Sequence, residues 1–302
     1  MTSNTTVTKP GMIARGTAWK IFAVVGVAAI ALYLLHLPAT LESGLLIGVS
    51  AAATLAMFWG LRTWRPRPLT AWILISIGQF FNCLGNGFFT HTYYLDHPHI
   101  PPEISAGLYS IGMLGFLGGT VILFYRLRNL LQRNQIAQGL IIAIGFTLFV
   151  WIKFIYPNLS RNLSPNEWVS IIVFPAGILV MGFFASLFLM ISLGETWWYR
   201  FLFGVLLFYT SGLYFYGRLM SQMALGGVWS DPRLVMLTDI SYSTAYVLLG
   251  IVYLHPSIAA LSIPLPPKTS LLSILDLVLL GIAFCIAPDA AFSLKFPAHS
   301  EI

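Results

Sequence analysis

Charge is scarce in this chain. Asp, Glu, Lys and Arg together make up 9% of its 302 residues, against roughly 25% in an ordinary soluble domain. Hydrophobic residues reach 58%, and mean hydropathy is +0.82. A water-soluble fold cannot cover that much apolar surface with so few charges, whereas a lipid bilayer needs no such cover. Cysteine is equally sparse: Cys83 and Cys285 both lie inside apolar runs. Their spacing fits neither a disulfide framework nor a metal knuckle, and they read as small buried hydrophobes. The chain has no phosphate-cradling Gly-rich loop, no nucleophile elbow and no His-Glu-x-x-His helix. No lysine sits mid-run to hold retinal, so the sequence leans away from an enzyme. The net charge of +6 is no nucleic-acid footprint. Its cations sit in short loops, where they act as topology signals.

What the chain does have is a series of apolar segments near the roughly 20 residues needed to cross a bilayer as helix. They fall at 19–36, 43–61, 70–91, 106–125, 136–155, 167–190, 200–219, 233–253 and 269–287. The expected fold is all-α, a polytopic transmembrane helix bundle of about nine spans. Pro38, Pro66, Pro68, Pro157, Pro165 and Pro232 stand in the connections, where a residue without a backbone N–H does least harm. The first 18 residues are polar, carry Lys9 and Arg15, and lead into no cleavage site. The first apolar run is therefore expected to stay as a helix.

The Lys and Arg residues give an orientation. With the N-terminus inside, the cytoplasm receives Lys9, Arg15, Lys20, Arg62, Arg65, Arg67, Arg126, Arg128, Arg133, Arg200 and Lys268. Only Lys153, Arg161, Arg218, Arg233 and Lys295 fall outside. The positive-inside rule places the N-terminus in the cytoplasm.

An internal repeat accompanies these spans. Thr63-Trp64 and Thr196-Trp197 are offset by 133 positions, as are Tyr109-Ser110 and Tyr242-Ser243. Two parallel four-helix units follow, since four spans return the chain to its starting side. The expected organisation is a tail over 1–18, a first unit over 19–130, a second over 131–257, and a linker, final span and tail over 258–302.

Ionisable and polar groups within spans are costly and usually face protein or a watery cavity. Asp239 lies about two turns into the eighth span, and Arg218 lies near the outer end of the seventh. They either tie two helices together as an ion pair or line a ligand site open to the outside. Gln79, Asn82 and Asn86 recur at helical spacing and share one face of the third span. Tyr109 and Tyr242 correspond in the repeat, and Tyr214 and Tyr216 neighbour Arg218. Asn82, Asn86, Tyr109, Arg218, Asp239 and Tyr242 are thus the candidate ligand-binding residues, against the alternative of interhelical hydrogen-bond glue and an aromatic belt. His91, His97 and His99 cluster with Asp96 in an outer connection. Imidazoles are good ligands for zinc, nickel or copper, yet the spacing is that of a solvated loop, and no metal is assigned.

The stretch from Trp168 through Phe174-Pro175-Ala176-Gly177, then Gly212 to Arg218, Asp231 and Leu254-His255-Pro256-Ser257 carries a family likeness. It resembles the membrane-embedded N-terminal sensor region of actinobacterial-type diguanylate cyclases and cyclic-di-GMP phosphodiesterases. The resemblance covers most of 60–257. Ile178 stands where that family has Asp, and Phe174 where it has Tyr. No cyclase or phosphodiesterase domain follows in the 45 residues after Ser257. The resemblance therefore implies an input module of a bacterial cytoplasmic membrane that signals through a protein partner.

The reading that follows is a non-catalytic membrane sensor or interaction protein. It would bind a small or lipophilic ligand, of unknown identity, in its outer half. A transporter or membrane enzyme for a lipid-soluble substrate is the first alternative. A structural subunit of a larger complex is the second, with His36 and His255 as candidate pigment ligands. No cofactor is assigned.

Overall fold

The computed structural model describes residues 10–35, 37–93, 102–127, 133–156, 159, 176–177, 179–185, 187, 197–224 and 232–262. All regular structure among them is helical. The main helices are α1 (Pro10–Leu32), α2 (Ala39–Trp64), α3 (Leu69–Tyr93), α4 (Pro102–Leu127), α5 (Arg133–Val150), α6 (Trp197–Ala224) and α7 (Pro232–Leu254). A short 3-10 turn over Tyr33–Leu35 extends α1, a π turn over Trp151–Ile155 extends α5, and a 3-10 helix over Pro256–Ser262 follows α7.

Proline sets most of the helix starts. Pro10, Pro102 and Pro232 are the first residues of α1, α4 and α7, where the missing N–H is one that no helix would satisfy. Pro38 precedes α2, and its carbonyl accepts the N–H groups of Leu41 and Glu42 at 2.8 and 3.1 Å. Glu42 in that first turn also suits the positive end of the helix dipole. At its other end α2 closes on Arg65, which adopts φ 46°, ψ 58° and returns its N–H to Leu61. Pro66 then blocks any continuation.

Four helical stretches are long and apolar enough to cross a membrane: Thr40–Trp64, Leu69–His91, Ile104–Arg126 and Leu234–Leu254. Shorter apolar helices cover Thr17–Leu32 and Ile136–Phe149. Helix occupies the first five predicted spans, the seventh and the eighth. The sixth is described only in part, and the ninth lies outside the described residues.

Polarity is inverted relative to a soluble fold. Ser50, Gln79, Asn82 and Asn86 are buried, whereas Val24, Leu55 and Leu114 are about 70% exposed, at 71%, 70% and 68%. In water such faces would aggregate. In lipid they are the solvated surface, and the polar groups find partners between helices.

The chain forms two compact units, one of residues 1–127 with 239–265, the other of 128–238 with 266–302. Sequence reading places the boundary near 130 and carries the second unit to 257. The contacts instead join α7 from Asp239 onward to the first four helices. The reason is chemical: Ser243, Tyr246 and Tyr253 each find a hydrogen-bond partner on α3 or in the turn after α1.

Within the first unit α3 and α4 pack closely enough to exclude side chains. A Cβ on Gly78 would stand 2.6 Å from the carbonyl oxygen of Gly112 and 2.9 Å from the nitrogen of Phe116. Gly60 of α2 meets the Tyr253 backbone carbonyl so closely that no Cβ fits. Small residues permit the dispersion contacts that hold helices together where lipid offers no hydrophobic drive. In the second unit Phe149 of α5 and Tyr214 of α6 approach to 5.9 Å between ring centroids.

Candidate functional site

Asn86 is the junction of a polar network in the first unit. Its Oδ1 accepts the Tyr109 hydroxyl of α4 at 2.9 Å. Its Nδ2 donates to the Tyr246 hydroxyl of α7 at 3.3 Å. Tyr242, one turn before Tyr246, stacks on it with centroids 6.2 Å apart and rings inclined by 14°. Asn82 is buried one turn from Asn86 and lies against Gly112 of α4, while the Tyr109 ring packs over Gly85. Four of the six predicted ligand residues, Asn82, Asn86, Tyr109 and Tyr242, therefore gather on three helices. The helical spacing that put Asn82 and Asn86 on one face is what aims them inward.

Asp239 opens the same face of α7. It lies within electrostatic reach of Tyr246, of Tyr33 at the end of α1, and of Glu42 in the first turn of α2. Ser243 donates to the Tyr33 hydroxyl at 3.3 Å, and Tyr33 in turn donates to the Glu42 carbonyl at 3.4 Å. Two carboxylates, four phenols and two amides thus meet at one end of the unit. Chemically such a set accepts hydrogen bonds and positive charge and, through its phenols, also donates. Arg218 is on α6 in the second unit, and its side chain lies outside the described residues. The expected pairing of Arg218 with Asp239 is therefore not among the described contacts.

Sequence reasoning overlooked Tyr33, Glu42 and Tyr246. Tyr246 carried a usable signal, four residues after Tyr242 and seven after Asp239, on one helical stripe. Glu42 and Tyr33 flank a connection that reads as loop, and nothing local distinguishes them.

Of the histidine cluster, His91 falls in the last turn of α3. Asp96, His97 and His99 lie outside the described residues. Among the described residues no three His, Cys, Asp or Glu side chains gather to hold a metal ion.

The opposite end of the unit is built on indoles. Trp64 of α2 donates its Nε1 proton to the Leu254 carbonyl at 3.2 Å. Trp19 of α1 meets the His255 ring edge-on at 4.9 Å. His255 Nδ1 accepts the Ser257 backbone N–H at 3.1 Å and lies 2.7 Å from the Ser257 hydroxyl. Burial pushes this imidazole down from its ordinary 6.5 to about 4, and the accepted N–H likewise requires an unprotonated Nδ1. His36 lies outside the described residues.

Fold and polar interior together define the class: an all-helical integral membrane protein. Comparison with protein-family models, with curated proteins and with solved structures finds no match.

Proposed function

We propose that the protein is a non-catalytic membrane sensor whose first unit binds a small or lipophilic ligand at the network around Asn82, Asn86, Tyr109, Asp239 and Tyr242. Ligand binding alters how α3, α4 and α7 are pinned together, and a protein partner reads the change. The observation that carries this reading is Asn86, which bonds Tyr109 and Tyr246 at once. A ligand that competes for this single amide loosens three helices together. Nine spans, a cytoplasmic N-terminus, a sequence repeat of four helices and a bacterial cytoplasmic membrane belong to the same reading. So does kinship with the sensor regions of cyclic-di-GMP enzymes.

The test is a thermal-shift screen of the purified protein against small polar and lipophilic compounds. A compound that raises the melting temperature of wild type, but not of Asn86→Leu or Asp239→Asn, supports the site. If every stabilising compound acts equally on both variants, the ligand lies elsewhere and the proposal falls.

A further inference from the structure

The indole end of the first unit is also its basic end. Trp64 closes α2 there, Trp19 meets His255 there, and α3 begins there at Leu69. The last turns of α4 emerge at the same end: a Cβ on Gly119 would stand 2.6 Å from the Ala71 carbonyl oxygen, and Arg126 follows about two turns later. Lys20, Arg62, Arg65, Arg67 and Arg126 are all exposed here. The segments that build this end, 17–20, 62–72, 119–127 and 253–262, contain no Asp or Glu. Glu42 and Asp239 stand at the opposite end, and no Lys or Arg occurs over 21–61 or 68–125. Acidic and basic groups of the unit are thus kept apart along its length.

The turn from α2 to α3 presents three of these cations together. Arg65 is the one residue other than glycine with a positive φ, 46°, among the described residues. A left-handed residue that ends a helix is ordinarily Gly, sometimes Asn. An arginine there is accounted for by what its side chain meets, not by its backbone. Pro66 is buried while Arg65 and Arg67 on either side are exposed, so the proline anchors the turn and leaves both guanidinium groups at the surface. Arg62 stands one helical turn before Arg65. From Arg62 an exposed stripe descends α2 through Trp59, Leu55, Ala52 and Gly48, at alternating intervals of three and four that keep one face. Trp59 is 60% exposed, and Gly48 has nothing within 4 Å of an added Cβ. Trp59 to Gly48 spans about 16 Å of helix, one leaflet's half of a hydrocarbon core about 30 Å thick.

We propose that the outward face of α2 is a binding site for one anionic phospholipid, its phosphate held by Arg62, Arg65 and Arg67 and one acyl chain laid along the stripe to Gly48. Guanidinium groups suit phosphate because their N–H donors pair with two oxygens at once. The Trp59 indole stands where the glycerol and ester groups lie, the level at which indoles concentrate. Below it, Ala52 and Gly48 leave the helix surface low enough for a chain to rest against. Lys20 and Arg126 add to the positive field without touching this lipid. Charge decides the occupant. A second copy packed in parallel on this face would bring Arg62 against its own equivalent, whereas an anionic headgroup neutralises it. The site lies at the far end of the unit from Asn86, so failure of the ligand screen leaves it untouched.

The experiment titrates the full chain, purified in a neutral detergent, with phosphatidylglycerol or phosphatidylcholine of identical acyl chains and counts bound lipid by native mass spectrometry. The wild type is expected to hold phosphatidylglycerol about tenfold or more tighter, since each arginine beside anionic lipid contributes roughly fivefold. Arg62→Gln combined with Arg67→Gln should abolish that preference. Arg65→Gly removes the third guanidinium yet suits the left-handed backbone. It should weaken phosphatidylglycerol binding about fivefold while the melting temperature stays level or rises, which separates lost binding from lost folding. Gly48→Leu should weaken both lipids, and Leu114→Ala, lipid-facing on α4, should change neither. Equal affinity of the wild type for the two lipids overturns the proposal, as does a preference that survives in Arg65→Gly and in the double variant. Full displacement of the lipid by inorganic phosphate overturns it, and so does a dimer that Gly48→Leu breaks and phosphatidylglycerol leaves intact.

Discussion

Tyr253 donates its hydroxyl to the main-chain carbonyl of Trp72, 181 residues away in sequence, at 2.7 Å, and its ring stands edge-on to the indole at 5.1 Å. The bond fastens α7 to the start of α3. Phenylalanine at 253 keeps the ring contact and removes only the bond. Interhelical hydrogen bonds in membrane proteins average about 0.6 kcal/mol and reach about 1.7. Tyr253→Phe should therefore lower stability by an amount in that range, measured by unfolding in mixed micelles of rising denaturing-detergent fraction.

The glycines divide into two sets with opposite expectations. Gly78→Ala forces a methyl group against the backbone of Gly112 and Phe116, and should cost about 1–3 kcal/mol, the usual range for overpacking. Gly44 and Gly48 have nothing within 4 Å of an added Cβ. Gly44→Ala and Gly48→Ala should be neutral or stabilising by up to roughly 1 kcal/mol through helix propensity. The same unfolding assay separates the two sets by sign.

Asn86→Leu removes the partner shared by Tyr109 and Tyr246. The cost should be about 1–3 kcal/mol, that of desolvated hydroxyls losing a bond. Combining it with Tyr246→Phe should cost less than the sum of the single changes, because residues in one network couple by about 0.5–3 kcal/mol. Strict additivity in the double-mutant cycle would dissolve the network into independent contacts.

Acidification should destabilise the His255 end. The folded imidazole titrates near 4, below its ordinary 6.5. Between those values the unfolded chain binds a proton that the native chain refuses, so stability falls as pH drops through 6.5 and levels off below about 4. Protonation also removes the lone pair that accepts the Ser257 N–H. In His255→Asn, which retains an acceptor but does not titrate there, this part of the pH dependence should vanish. Melting temperatures of the two proteins between pH 8 and pH 4 make the comparison.

Much of the fold was legible because lipid simplifies the code. Runs of apolar residues and the prolines at 38, 68 and 232 mark helices and their starts, since an unpaired backbone group cannot be left in hydrocarbon, whereas α1 starts at Pro10, inside the stretch over 1–18 that reads as a polar tail. The candidate site was legible where helical spacing sufficed, as for Asn82 and Asn86. It was not legible where the partner came from a distant helix. Nothing near Tyr246 says that Asn86, 160 residues earlier, bonds it. Glu42 and Tyr33 escaped because a span end reads as loop, and its polar groups look solvated until the neighbouring helix is known. The membership of α7 was hidden for the same reason. Adjacency in sequence assigns it to α5 and α6, whereas its hydroxyls choose α3 and the end of α1.

That choice has a consequence for how the protein is made. The first unit needs residues from 239 onward, yet the ribosome delivers α1 to α4 first and then more than a hundred residues of other chain. At about 5–20 residues per second the four helices wait on the order of ten seconds before α7 exists. During that interval Asn86 and the Trp72 carbonyl face lipid, water or a chaperone instead of Tyr246 and Tyr253. Biogenesis thus passes through an incomplete bundle whose inward face stays unclosed until α7 arrives to seal it.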